Sequence, residues 1–504
     1  MPEGPLAEMA VQGRFTEGWK VRFGTGEAVG PLTTFLDLLV RTTPDYVARP
    51  RDGAEAAEVV KFAAAQKMAV VPRGAGTSSS GGSIPVGGGI IVDTSEMSSL
   101  EIDADDLRAV AGAGVPMKRL VAEAAAKGLE AGPHPLFGPA STVGSFLGRG
   151  GWGLGSLRLG SFASRVADAE VVLGNGEVLP ADGPTALAFA GAEGLLGIFT
   201  RATLRLEPKP EEVRPLGFLF ERARDLSEAV GRLNAAPLPL HAILFGEANH
   251  YRWLLRERGE IGAPYMLNAV LAGPKPLLAK AESRVNALVG GAKPARESGN
   301  REWKAVHEIY RFPVDYFHPL RWPLLLPADR LGDFAQGFRA LLARMKLHGS
   351  FTGVAVARGT LLVEPYPLLD LRRPFGTLFA LGLVKKMNDL ALELGGQPGG
   401  YGLLGTGHLD KLHGDFVDPL QDAKGQLLGP QILRIRSSAG VEVLLRAKKG
   451  LDPSAVLNPG KITSLRLTPA GLLPVKLPAA TMNVAQDALA IGRRLVKGEE
   501  LLST

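Results

Sequence analysis

The apolar positions change period repeatedly along the first two hundred residues. In "AEAAEVVKFAAAQK" (54–67) they recur at helical spacing, with Val59, Phe62 and Ala63 on one face. "MAVVP" (68–72) and "GGIIVDTS" (88–95) are short continuous apolar runs, the pattern of buried strands. "VPMKRLVAEAAAKG" (115–128) returns to helical spacing and closes on Gly128, a glycine cap. "ADAEVVLGNGEVLPA" (167–181) predicts two strands about Asn175-Gly176, a strong hairpin signal. "GIFTRATLRLEP" (197–208) alternates as a half-buried strand does and stops at proline.

From about residue 210 the texture changes. The stretches 215–248, 265–291 and 322–365 read strand–helix–strand, strand–helix, and strand–helix–hairpin. Strands alternating with single helices predict an α+β sheet with helices on one face, running to roughly 425. "VEVLLRAKKGLDPSAVLNPGKI" (441–462) is a helix stopped at Asp452-Pro453 and followed by a tight turn.

Between the first two strands lies "PRGAGTSSSGG" (72–82), a loop of the kind that holds phosphate. A P-loop requires lysine where Gly82 stands. A dinucleotide fingerprint requires a third glycine where Ser79 stands. The glycines and prolines of 81–89 forbid a following helix, so both motifs are excluded. Glycine-freed N–H groups beside hydroxyls still form an anion nest; a flexible surface loop is the plain alternative.

The 504-residue chain is long enough for two or three domains, and 45% hydrophobic with 21% charged residues is globular composition. It contains no Cys, which excludes disulfides, thiol catalysis, Fe–S ligation by cysteine and a cysteinyl cofactor link. A net charge of +6 is mild, and no basic run interleaved with aromatics points to nucleic acid. No charged-then-apolar leader is evident, and no apolar stretch approaches the ~18 residues of a membrane span. The expectation is a cytoplasmic protein.

Four motifs recur in one order: "PRGAGTSSSGG" (72–82), "PASTVGS" (139–145), "GAEGLLGIFTRATLRLEP" (191–208) and "LDPSAVLNPGK" (451–461). In these the chain resembles the FAD-linked oxidases of the vanillyl-alcohol oxidase/p-cresol methylhydroxylase fold. Within them it is most similar to the glycolate oxidase catalytic subunit and the D-lactate and D-2-hydroxyacid dehydrogenases. The resemblance implies a two-part FAD-binding domain (40–210) of the PCMH type and a ferredoxin-like α+β substrate or cap domain (211–425). It further implies an N-terminal extension (1–39), a C-terminal segment returning to the FAD domain (426–465), and a tail (466–504).

By the same resemblance Pro72, Arg73, Gly74, Ala75, Gly76, Thr77 and Ser78 wrap the FAD pyrophosphate. Pro139, Ser141, Thr142, Gly144 and Ser145 form a second wall. Glu193, Gly194, Gly197 and Ile198 line the adenine and ribose region, and Asn458 with Lys461 returns the C-terminus to the flavin. Covalent relatives often carry histidine where Thr77 stands, so noncovalent FAD is expected. Arg149, Gly150 and Trp152 depart from the family segment; Trp152 either stacks near the flavin or fills the core.

The substrate half departs further. The family's metal-binding histidines are missing from "TGVAVARGTLLVEP" (352–365), and in "GGQPGGYGLLG" (395–405) Gly400 and Tyr401 replace the metal-binding Glu and the catalytic His. No metal is therefore expected. Tyr401 and His408 are the candidates for the catalytic base, with His413 beyond them. In 302–327 Val306 replaces the carboxylate-binding arginine, His307 follows it, and Arg311 or Arg321 is left to supply the charge. The expected activity is hydride transfer from a small 2-hydroxy acid such as D-lactate or glycolate to FAD. Electrons then pass to a quinone or an Fe–S partner subunit. A metal-independent alcohol or polyol oxidase using oxygen, and a flavin-binding subunit without its own chemistry, are the alternatives. The tail carries Arg493, Arg494 and Lys497 beside an apolar face, which either docks peripherally on a membrane or a partner, or packs on its own chain.

Overall fold

The computed structural model describes residues 4–17, 42–78, 81–136, 140–255, 262–307, 317–370, 382–399, 438–460, 464–467 and 475–478. Two sheets build the first part. In the four-stranded sheet, Ile90–Asp93 lies between Tyr46–Ala48 and Val70–Arg73, parallel to both. Phe15–Glu17 pairs antiparallel with Tyr46–Ala48 at the edge. The helix Gly53–Ala65 packs Val59, Val60 and Ala63 onto this sheet. It starts at Asp52, whose carboxylate accepts the Glu55 N–H at 2.9 Å, the standard N-cap arrangement. Glu55 itself pairs with Arg14 and so ties down the N-terminal strand.

The second sheet is antiparallel, in the order Leu100–Asp103, Arg108–Gly112, Ile198–Arg205, Val166–Val172, Val178–Asp182. The hairpin expected at Asn175-Gly176 forms, with Val172 opposite Val178 and Gly176 at φ +79°. The helix expected over 115–128 runs Met117–Ala126, and Gly128 sits just beyond it at φ +73°.

Among the described residues a nine-stranded sheet follows, all its pairings antiparallel, while Leu129–Glu130 pairs with Glu207–Pro208 and Ser464–Leu467 with Val475–Pro478 in separate two-stranded sheets. Its central strands are Glu212–Phe220, Tyr265–Gly273, Leu240–Glu247, Gly349–Ala357 and Thr360–Asp370. Alternation sorts their side chains. Ile243, Phe245, Leu267 and Phe351 face the helices Ala223–Ala235, Lys275–Leu288 and Leu331–Met345. Ala242, Leu244, Val270 and Val354 face the first part of the chain and share its core. Both faces are thus apolar, which is why these strands read as continuous hydrophobic runs.

The expectation of helices on one face needs correction. Ala248–Leu255 and Arg296–Ala305 lie on the face that also meets the first part. Glycine makes the second of these contacts possible: a Cβ on Gly299 would stand 2.6 Å from the Gly217 backbone nitrogen.

Candidate functional site: a glycine-walled cleft

The strand Val70–Arg73 delivers its loop to the rim of a cleft. Pro72, Arg73, Gly74, Gly76, Thr77 and Ser78 line it, with Ala75 in the same turn. Gly76 turns at φ +67°, and a Cβ there would lie 2.6 Å from the Arg73 guanidinium. Glycine is needed both for the turn and for the arginine to fold back over it.

Ser141, Gly144 and Ser145 form the opposite wall. Thr142 caps the helix that follows this wall. Its hydroxyl accepts the Ser145 N–H at 3.3 Å while the Ser145 hydroxyl accepts the Thr142 N–H at 3.0 Å, a reciprocal cap on the helix Val143–Gly148. The two walls touch at Gly74, where a Cβ would stand 2.4 Å from Thr142 Oγ1.

Glu193, Gly194, Gly197 and Ile198 close the third side. Glu193 at φ +49° and Gly194 at φ +76° make the turn, and a Cβ on Gly194 would lie 2.3 Å from Pro72 Cγ. Asn458 acts at one remove: its side-chain amide donates to the Glu193 carbonyl at 2.7 Å, and its backbone N–H to the Val70 carbonyl at 2.7 Å. Behind it the half-buried Lys448 ammonium donates to the carbonyls of Leu195 (2.8 Å) and Leu457 (2.6 Å) and pairs with Asp452. Burial pushes the Lys448 pKa below its ordinary value, against the pull of Asp452.

Gly82, Ser83, Thr94, Gly148, Arg149 and Phe199 also line the cleft, and sequence reasoning did not assign them. Arg149 donates to the Ser78 hydroxyl and so joins two walls. Its signal was present, a cation inside the segment that departs from the family, but the departure obscured it. A Cβ on Gly148 would meet nothing within 4 Å, so the backbone there borders open space. Trp152 is buried in the core of the first part, with its indole N–H unpartnered.

Of the residues expected at the substrate, only Arg321 falls among those described. It is half-buried and pairs with Glu364 on the neighbouring strand Thr360–Asp370. Pro139, Lys461, Arg311, Tyr401, His408 and His413 lie outside the described residues. Among the described residues no three His, Cys, Asp or Glu side chains converge on a metal position. Among them, too, no helix is long and apolar enough to cross a membrane.

Residues 44–182 match the family model described as an FAD binding domain. The chain is 32% identical over 228 residues to the D-lactate dehydrogenase of Archaeoglobus fulgidus, covering 42% of this chain and 51% of that one. It thus spans about half the length of that relative. The glycolate oxidase subunit GlcD of Bacillus subtilis is 26% identical over 444 residues, covering 84% of this chain and 89% of that one. Among solved structures, p-cresol methylhydroxylase with substrate bound superposes with a TM-score of 0.70 at 16% identity, over 92% of this chain and 97% of that one. An alkyldihydroxyacetonephosphate synthase gives 0.66 at 15% identity, over 91% and 85%. The cleft fits the cofactor these matches name. Its two arginines and its hydroxyl-bearing, glycine-rich walls suit a pyrophosphate.

Proposed function

We propose that this chain, an FAD-linked oxidoreductase of the p-cresol methylhydroxylase type, oxidises the CH–OH group of a small 2-hydroxy acid of the D-lactate or glycolate kind. FAD supplies the two-electron acceptor for the hydrogen on the hydroxyl-bearing carbon. The observation that carries the cofactor assignment is the cleft itself, where three glycine-rich segments converge and Arg149 bridges to Ser78. The names of the relatives, D-lactate dehydrogenase and glycolate oxidase subunit, support the substrate class.

In this reading the loop Pro72–Ser78 holds the pyrophosphate, with Arg73 and Arg149 as its countercharges. Ser141, Gly144 and Ser145 bound it from across the cleft, while Glu193, Gly194, Gly197 and Ile198 carry the adenine end. Pro139 belongs to the second wall and Asn458 positions the third. Residues 40–210 form the FAD-binding domain and 211–425 the cap. Thr77 leaves the flavin held without a covalent bond. Tyr401 or His408 takes the hydroxyl proton, and no metal is required. Arg311 or Arg321 meets the substrate acid, although Arg321 must then serve Glu364 as well. Electrons leave to a quinone or an Fe–S partner.

Anaerobic addition of D-lactate or glycolate to the purified yellow protein tests the reading. Bleaching of the flavin absorbance is the expected result. A flavin that stays oxidised with every 2-hydroxy acid, yet bleaches with plain alcohols, would sink the substrate class. Acid precipitation should leave the yellow colour in the supernatant, as a noncovalent cofactor requires.

A further inference from the structure

The helix Val143–Gly148 borders the cleft with Gly144, Ser145 and Gly148, and backbone bonds hold it at both ends. At its start the N–H groups of Val143 and Gly144 donate to the carbonyls of Val115 and Ala113, each at 2.9 Å. At its end the carbonyls of Leu147 and Gly148 accept the N–H groups of Gly191 and Glu193 at 3.0 and 2.9 Å. Val143, Phe146 and Leu147 are buried in the core beneath. The helix is therefore a fixed bar between the second wall and the third. Arg149 follows it as the C-cap residue, so the base of this side chain is as fixed as the bar.

The loop that faces it is built differently. Its start is held: Arg73 pairs with Asp93 in the parallel sheet, and the Thr94 hydroxyl donates to the Arg73 carbonyl at 3.3 Å. Next come Gly74, Ala75 and Gly76, which offer little or no side chain for packing. Glycine also loses more conformational freedom on ordering than any other residue. The far end of the loop is Ser78, and there the Arg149 guanidinium donates to the hydroxyl, joining positions 71 residues apart. A hydrogen bond from a cation is stronger than one between neutral groups. A guanidinium carries several donors in a planar fork, so one side chain can hold Ser78 and a phosphate oxygen together.

We propose that the Arg149–Ser78 bond is a strap that holds the loop Pro72–Ser78 against the fixed bar, and that Arg149 thereby sets the rate at which FAD leaves the cleft. The strap rests on the placing of the FAD pyrophosphate at this loop, and it asks more of Arg149 than a countercharge does. A countercharge acts on the ligand alone, and each contact to the phosphate then adds its own share. A strap acts through the protein. Cutting it at either end frees the same loop, so losing the guanidinium and losing the Ser78 hydroxyl have one shared effect and do not add. With the strap in place the loop is ordered before the cofactor arrives, which lowers the ordering cost of binding. Arg149 stands in the segment that departs from the family, so the strap belongs to this chain and not to the pattern it shares.

Protein loaded with radiolabelled FAD is chased with excess unlabelled FAD, and the label that stays bound is followed over time. Arg149→Met keeps the length of the stem without the fork, and Ser78→Ala removes the other end while leaving the arginine. Each should speed the loss of label by about tenfold or more, the change expected for one hydrogen bond to a charged group. The double variant should be no faster than Arg149→Met, and Arg149→Lys should fall between Arg149→Met and the parent. Ser78→Ala is a minimal change at a half-buried position and reports even where Arg149→Met folds poorly. Amide hydrogen exchange over residues 74–78, with FAD in excess so that the cleft stays filled, is the second readout. It should be faster than in the parent in both single variants. Release rates that multiply in the double variant, or loop exchange that stays at the parent rate, make Arg149 and Ser78 separate contacts to the cofactor and overturn the strap. Faster loop exchange with unchanged release keeps the bond as a tie within the protein. That outcome removes the pyrophosphate from this loop, and the control of release with it.

Discussion

At the scale of single residues, the cleft is a matter of which positions can do without a side chain. Gly194 and Gly128 make the comparison clean. Both have a left-handed backbone, φ +76° and +73°. Alanine costs each about 1–2 kcal/mol of strain. At Gly128 a Cβ meets nothing within 4 Å, whereas at Gly194 it would collide with Pro72 at the mouth of the cleft. Gly194→Ala should therefore weaken FAD at least tenfold in a fluorescence titration of the apoprotein, while Gly128→Ala lowers only the melting temperature. Equal FAD affinity in the two variants would refute the close packing of the third wall on the first. Gly194 was legible in the sequence because its motif takes its place in a fixed order of motifs, and Gly128 because it closes a helical run. Arg149 was not, because its bond to Ser78 spans 71 residues and no local pattern encodes it.

At the scale of elements, the C-terminal segment acts as a clip. Residues 456–458 lie along the Val70 edge, with Val70 N–H donating to Val456 and Asn458 N–H to Val70, both at 2.7 Å. Asp452, fully buried, accepts the Val456 and Leu457 N–H groups, and Gly174 leaves room for it. Lys448 then holds carbonyls from two cleft segments at once. Lys448→Met keeps the apolar stem and deletes the charge, removing the donor to two carbonyls and the cationic partner of the buried Asp452 carboxylate. Losing one partner of a buried pair costs about 3–5 kcal/mol. The melting temperature should fall by several degrees, and FAD affinity should fall with it. A variant that melts like the parent would show that the clip carries no load.

The same scale shows what periodicity can and cannot reveal. The hairpin at Asn175-Gly176 and the helix stop at Asp452-Pro453 were readable because local chemistry dictates them. The helices Ala248–Leu255 and Arg296–Ala305 were not. Arg296–Ala305 is strongly polar in sequence, and its seat depends on the meeting of Gly217 with Gly299, which sequence spacing cannot show. With them went the meeting of His134, His241 and His307 around Trp303, histidines that lie 107 and 66 residues apart by number yet come together across two parts of the fold.

For the whole molecule, buried ionisable groups set the pH range in which the two parts stay packed, and two of them pull in opposite directions. His241 is held at about 3, by burial first and then by Arg158, His134 and His307. Its folded value lies below the unfolded one, so it contributes stability above about pH 6.5 that is lost as pH falls towards 3. Glu302 is fully buried on Arg296–Ala305, beside Asn268 and Tyr251. Desolvation pushes it up to about 8, and the nearby polar side chains of Asn268 and Tyr251 only partly offset this. Here the folded protein holds a proton that the unfolded chain releases, so stability declines as pH rises from 4.5 towards 8. Between 4.5 and 6.5 the slopes oppose each other; from there to 8 Glu302 acts without that opposition, at about 1.4 kcal/mol per pH unit. Glu302→Gln keeps the shape and removes the titration. Its melting temperature should exceed that of the parent at about pH 8 by several degrees. The gap should narrow as pH approaches 4.5, where the parent carboxyl is protonated in the fold and half-protonated when unfolded. A gap that does not change with pH would mean that Glu302 is not held neutral in the folded protein.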